Sequence, residues 1–136
     1  MKPCYLIAEI GVNHNGNLDL AIEMVNNAKL AGANAVKFQT YNASKLVADN
    51  SPVYWDQTKE PAKSQKELFK RHECTDLSFY LPIIEECKRI GIQFLTTCFD
   101  TELVSKFDKY LEFHKISSSD LTNRMLISRI LKTKNL

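Results

Sequence analysis

The chain has 136 residues, 44% hydrophobic and 25% charged, with 4 glycines and 4 prolines. This excludes a disordered or collagen-like chain and is the profile of one soluble globular domain. A formal charge of +2, scattered without runs, gives no support for a nucleic-acid or membrane-surface binder. No apolar stretch approaches the roughly 20 residues of a spanning helix, and MKPCYLIAEIG is too short, with an acid too early, for a secretory signal, so a cytoplasmic location is expected.

CYLIAEI, residues 4–10, is short, apolar and rich in strand formers, and it reads as a buried strand ending at Gly11. Asn17 then caps a helix with apolar positions Leu18, Ala21, Ile22, Val25 and Ala28, and Gly32 sits where a left-handed C-terminal cap belongs. ANAVKFQT is a second strand. Residues 41–63, with Pro52, Tyr54, Trp55 and Pro61, form a loop too long to be a mere connector. SQKELFKR opens with a capping-box spacing, Ser64 to Glu67. DLSFYLPIIEECKRIG is a helix with Leu77, Tyr80, Leu81, Ile84 and Cys87 on one side, a start that Pro82 should bend or delay, and a stop at Gly91. IQFLTTCFD reads as a third strand, TELVSKFDKYL as a short helix, EFHKISSS as a fourth strand, and LTNRMLISRILKTKNL as a helix capped by Thr122 or Asn123.

Strict strand–helix alternation argues for a parallel sheet covered by helices. An open doubly wound sheet and a closed (β/α)8 barrel of the TIM type both fit it. The polar residues favour the barrel: Glu9, Lys37 with Gln39, Thr96 with Thr97, and Lys115 with Ser117 or Ser118 each lie toward the C-terminal end of a different strand, where barrel active sites are built. Four β-α units are expected where closure takes eight, so residues 1–136 read as the first half of a barrel whose two edge strands need covering.

The period of two places Lys37 and Gln39 on one face of their strand. Lys37 and Lys115, with Thr97 and Ser118, make a candidate site for a phosphorylated or carboxylated substrate. AEIGVNHNG is neither GxGxxG nor GxxxxGK[ST], and Glu9 just before it would repel phosphate. Glu9 suits a neutral polyol or proton transfer, and Asn13 and His14 suit hydrogen bonding. His14, His72 and His114 have no metal-ligand spacing: His72 reads as a solvated helix-end residue, and His114 should point toward the helix layer. Cys4, Cys74, Cys87 and Cys98 form no CxxC pair and read as reduced, mostly buried thiols. No metal ligand is assigned.

AEIGVNHNG, GANAVKFQT, YWDQTKEPAKSQKELFK, GIQFLTTCFD and KISSSDLTN, in this order and spacing, resemble the N-terminal half of the sialic acid synthase family, whose members make N-acetylneuraminic, legionaminic and pseudaminic acids. The resemblance implies a (β/α)8 barrel that condenses phosphoenolpyruvate with an open-chain N-acetylated hexosamine. It also implies a divalent metal, manganese or magnesium, a homodimer, and a small antifreeze-like domain after the barrel that is not among these 136 residues. Carried over by position, Lys37, Thr97, Lys115 and Ser118 hold phosphoenolpyruvate. Glu9 and Asp120 face the sugar. Asn13, on the sugar side of the cleft, and Gln39 are further substrate-binding candidates, and Glu9, Lys37 and Lys115 are the catalytic candidates. Three departures stand out. Cys98 replaces a family proline, Ser117 and Ser119 replace smaller residues beside Ser118, and the family's metal-binding histidines lie beyond residue 136, so this chain alone is not expected to catalyse. Two rival readings are a Schiff-base aldolase using Lys115 or Lys37, and a non-catalytic half-barrel that dimerises through its sheet edges.

Overall fold

The computed structural model describes residues 4–133. Strands β1 (Ile7–Gly11), β2 (Ala35–Thr40) and β3 (Gln93–Cys98) form a parallel sheet in the order β1-β2-β3. Six helices accompany them: α1 (Leu18–Leu30), α2 (Ala43–Leu46), α3 (Gln65–His72), α4 (Leu77–Ile90), α5 (Thr101–Phe107) and α6 (Arg124–Ile130). The register pairs Glu9 with Lys37, Lys37 with Leu95, and Gln39 with Thr97. Because side chains alternate along a strand and match across a ladder, these five residues share one face of the sheet.

The opposite face carries the core. Val36, Phe38 and Phe94 pack with Val25 of α1, Tyr80, Ile83 and Ile84 of α4, and Phe107 of α5. Phe38 meets Tyr80 edge-on at 5.8 Å and Phe94 stacked at 5.6 Å, geometries that add to burial energy. The buried side of α4 is Tyr80, Ile83, Ile84 and Cys87; Leu81, expected there, is exposed because Ile83 takes the inward position. The helix runs continuously through Pro82, which neither delays its start at Asp76 nor ends it before Gly91, in the left-handed region at φ +70°. Gly32 follows α1 at φ +88°, the position expected for it.

The fourth expected strand does not form. After α5 the chain makes a 3-10 turn at Asp108–Tyr110 and a second at Ser118–Asp120, and residues 111–117 make no sheet ladder. The serines are the local reason: Ser117 Oγ bonds Ser119 Oγ at 2.9 Å and Asp120 N donates to Ser117 O at 3.0 Å, turning the backbone where a strand would continue. Among the described residues the sheet therefore has three strands, not four. β1 is also less buried than expected, with Ile7 exposed and Cys4, Tyr5 and Leu6 exposed ahead of it. Cys87 and Cys98 are buried free thiols, both pushed up to about 12 by burial, and Cys74 is half-buried.

The loop between β2 and α3 is folded. It contains α2, Trp55 Nε1 donates to Glu60 O at 2.9 Å, and Glu73 Oε2 accepts from Ala43 N at 2.8 Å. Lys66 pairs with Asp49, and Arg71 bridges Glu60 and Glu67. Ser64 caps α3 by accepting from Glu67 N, while Glu67 returns its bond to Lys63 N, one residue ahead of a strict capping box. No helix among the described residues is long and apolar enough to cross a membrane.

Candidate active site

Four of the sequence-selected residues meet at the C-terminal ends of the three strands. Lys37 forms an ion pair with Glu9 and donates to Thr97 Oγ1 at 3.4 Å. Gln39 Nε2 donates to the other Glu9 oxygen, Oε1, at 3.2 Å. The Lys37 side chain is 13% exposed and that of Glu9 46%, so the cation is the enclosed partner and the carboxylate faces solvent. The ladder builds this contact. Glu9 and Lys37 are direct cross-strand partners, and the irregularity between Glu9 and Gly11 turns the chain immediately afterwards. Gly11 lies at φ +59°, and a Cβ there would sit 3.5 Å from Glu9 Oε1 and 3.8 Å from Gln39 Nε2. Those are ordinary van der Waals distances, so it is the left-handed backbone of the turn, rather than lack of space, that favours glycine here.

The remaining candidates make no direct contact with the cluster. Lys115 is exposed and donates to Ile116 O at 2.7 Å, Ser118 and Asn13 are exposed, and among the described residues no hydrogen bond or ion pair joins any of them to Glu9, Lys37, Gln39 or Thr97. Ser119, next to Ser118, lines a cavity with Gln39. Asp120 is buried, accepts from Asn123 Nδ2 at 3.0 Å through Oδ1, and has no partner for Oδ2. His14 is fully buried between Phe38 and Phe79, its Nδ1 accepts from Gly16 N at 3.1 Å, and its Nε2 has no hydrogen-bond partner. Burial, then the nearby His72, lowers its pKa. The Asn13–His14–Asn15 turn is thus organised inward by the imidazole. His114 Nε2 is hydrogen-bonded with Asp108 Oδ1 at 2.9 Å.

A cavity of about 390 Å³ adjoins the cluster. Tyr41, Leu46, Val47, Leu68, Phe69 and Phe99 supply most of its wall, and Gln39 is common to cavity and cluster. Burial pushes the Tyr41 phenol up to about 12, so it remains protonated at neutral pH. His72, expected to be solvated at a helix end, lines this cavity because α3 folds back over the strand ends. The spacing of Leu68, Phe69 and His72 on a helix following an unusually long loop was the available signal for this wall. Among the described residues no three His, Cys, Asp or Glu side chains converge as a metal site, so the donors present do not fit the divalent ion that the resemblance implies, and no chemical step is routed through one.

The fold and the strand-end cluster define an α/β protein with a parallel sheet and a polar site at its C-terminal edge. A model described as the NeuB family matches residues 24–136, and the chain belongs to this family. It is 41% identical over 128 residues, 88% of the chain, to the N,N'-diacetyllegionaminic acid synthase of Legionella pneumophila, and 36% identical over 97% of the chain to that of Campylobacter jejuni. These alignments cover 34% and 40% of the two relatives, so the chain spans little more than a third of their length. Its structure resembles the N-acetylneuraminic acid synthetase of Leptospira borgpetersenii, with a TM-score of 0.78 at 32% identity over 94% of the chain and 41% of that protein.

Proposed function

We propose that this chain supplies the phosphoenolpyruvate-binding wall of a sialic acid-type synthase, and that residues 1–136 are the N-terminal half of a (β/α)8 barrel. The observation that carries this reading is Lys37, an enclosed cation held between Glu9 and Thr97 at the ends of adjacent parallel strands. A largely enclosed ammonium beside a hydroxyl is suited to a phosphate or carboxylate, and an incoming anion would take the place that Glu9 now holds. Glu9, released toward solvent with Gln39 beside it, would then face the acceptor sugar. In the proposed reaction C3 of the enol attacks the aldehyde of an open-chain N-acetylated hexosamine, forming the new C–C bond. Water adds at C2, and phosphate leaves from the tetrahedral intermediate. Lys37 offsets the charge of the enolphosphate and holds it in line for attack.

In this reading Lys115, Ser118 and Asp120, from the segment around the Ser118–Asp120 turn, and Asn13, from the turn after β1, complete the site. The activity then belongs to a molecule containing the rest of the barrel, a homodimer in the cytoplasm, with the divalent metal ligands supplied outside these residues. Neither lysine favours the aldolase alternative: Lys37 is ion-paired, and Lys115 is exposed and turned onto its own backbone, whereas a Schiff base needs an amine free to attack.

Calorimetric titration with phosphoenolpyruvate tests the site. Loss of a charge-assisted contact worth roughly 1.5–3 kcal/mol predicts about 10- to 100-fold weaker binding by Lys37→Ala. Unchanged affinity in that variant would refute the placement, and borohydride trapping of a carbonyl substrate on Lys37 would favour the aldolase.

A further inference from the structure

His14 is fully buried, its ring centroid 5.7 Å from that of Phe38 and 5.0 Å from that of Phe79, yet its Nε2 has no hydrogen-bond partner. A leucine or phenylalanine would fill the space without burying an unpaired polar atom, so packing alone does not call for an imidazole. The other ring nitrogen supplies the reason. Nδ1 accepts from Gly16 N at 3.1 Å, which makes it the bare nitrogen and leaves the proton on Nε2. Burial, then His72, lowers the pKa of the ring, and the neutral form keeps that acceptor.

The bond runs from a side chain to the backbone two residues on, as in an Asx turn. It closes a run of turns in which Asn13 N donates to Ile10 O at 3.1 Å, Asn15 N to Val12 O at 3.0 Å and Asn17 N to His14 O at 2.8 Å. Asn15 and Gly16 lie at φ +50° and +73°, a left-handed pair that needs holding in place. Among the described residues, no other side chain bonds the backbone of residues 11–16. Asn13 lies within this run and is exposed, and its own side chain makes no hydrogen bond among the described residues. Its amide is therefore open to a ligand, and the turn decides where it stands.

We propose that His14 is a positioning residue of the site, holding from the buried side the turn that sets Asn13 toward the acceptor sugar. The inference rests on the sugar-side reading of Asn13 given above. Lys37 and Thr97 are aligned by the sheet ladder instead, so the phosphoenolpyruvate side does not depend on this histidine.

Two substitutions separate positioning from packing. His14→Leu keeps an apolar side chain and removes the acceptor, whereas His14→Asn loses bulk but places Oδ1 on the Cγ that now bears Nδ1. N-acetyl-D-mannosamine is titrated calorimetrically against each protein saturated with phosphoenolpyruvate, and amide exchange at Gly16 is followed by NMR. His14→Leu should bind the sugar roughly 3- to 10-fold more weakly, the scale of one neutral hydrogen bond, with faster exchange at Gly16. His14→Asn should stay within about twofold of the parent with Gly16 protected, and phosphoenolpyruvate affinity should stay within about twofold in both variants. The reverse ranking, or equal sugar affinity in all three proteins, would overturn the role and leave the phosphoenolpyruvate site standing. If His14→Leu does not fold, His14→Asn decides: retained sugar affinity with a protected Gly16 upholds the role, and loss of either overturns it. No sugar binding by the parent would overturn the sugar-side reading of Asn13, no phosphoenolpyruvate binding would overturn the site as a whole, and the role of His14 falls with either.

Discussion

Lys37 and Glu9 neutralise each other in this structure, and their unequal exposure decides which is available to a ligand. Glu9 competes with any anion for the ammonium, so Glu9→Gln should tighten phosphoenolpyruvate binding by roughly fivefold, the scale of a partly exposed ion pair, in the same calorimetric titration; weaker binding would contradict this competition. His14 carries a pH dependence of stability. Burial holds its folded-state pKa below the 6.5 of an exposed imidazole, so between those values the unfolded chain binds more protons. The stability it contributes is complete above pH 6.5 and is lost as pH falls toward the lowered folded value. Urea titrations at stepped pH should show that loss in the parent and a shallower slope in His14→Phe. Thr40 and Thr96 were not selected from sequence as a pair, yet their hydroxyls meet at 2.6 Å in the core. Their cross-strand distance depends on register, which one sequence does not encode locally.

Among the elements, the helix starts were the most legible because their signals are local. Asn17, Ser64 and Asn123 each accept from an amide of the first turn, and each was readable as a cap from its residue type and the apolar period after it. Asp100 does more, accepting from both Glu102 N and Leu103 N at 2.9 Å at the start of the seven-residue α5. Asp100→Ala should cost about 1 kcal/mol, measured as a lower urea midpoint at constant m-value. The fourth strand failed for the complementary reason. EFHKISSS has strand-like spacing, but a strand exists only through a neighbour's ladder, and its serines bond one another instead. Without a ladder, no hydrogen bond among the described residues links Lys115 or Ser118 to Lys37.

At the scale of the molecule, the sheet is two-faced: one side is packed by α1, α4 and α5, while the other bears the polar cluster. Phe38 lies at the centre of the packed side, touching His14, Tyr80 and Phe94, so Phe38→Ala should destabilise by about 3–5 kcal/mol and flatten the thermal transition. The thiols report on the same packing. Exposed Cys4 should react with Ellman's reagent within the mixing time, whereas Cys87 and Cys98 should react only under denaturing conditions; rapid labelling of all four would mean that the core opens readily.

The sequence by itself determined three of the four expected strands, most helix caps, the packed face of α1, and the placement of Glu9, Lys37, Gln39 and Thr97 on those strands. Each follows from a period or a short spacing, interactions that act within a few residues of chain. Only the tertiary structure decided that these four touch, that Gly11 takes a left-handed turn beside Glu9 and Gln39, that His72 belongs to a cavity wall, and that Lys115 bonds its own backbone. Those outcomes depend on strand register and on how the long loop folds back over the sheet, and both are set by contacts between segments far apart in the chain.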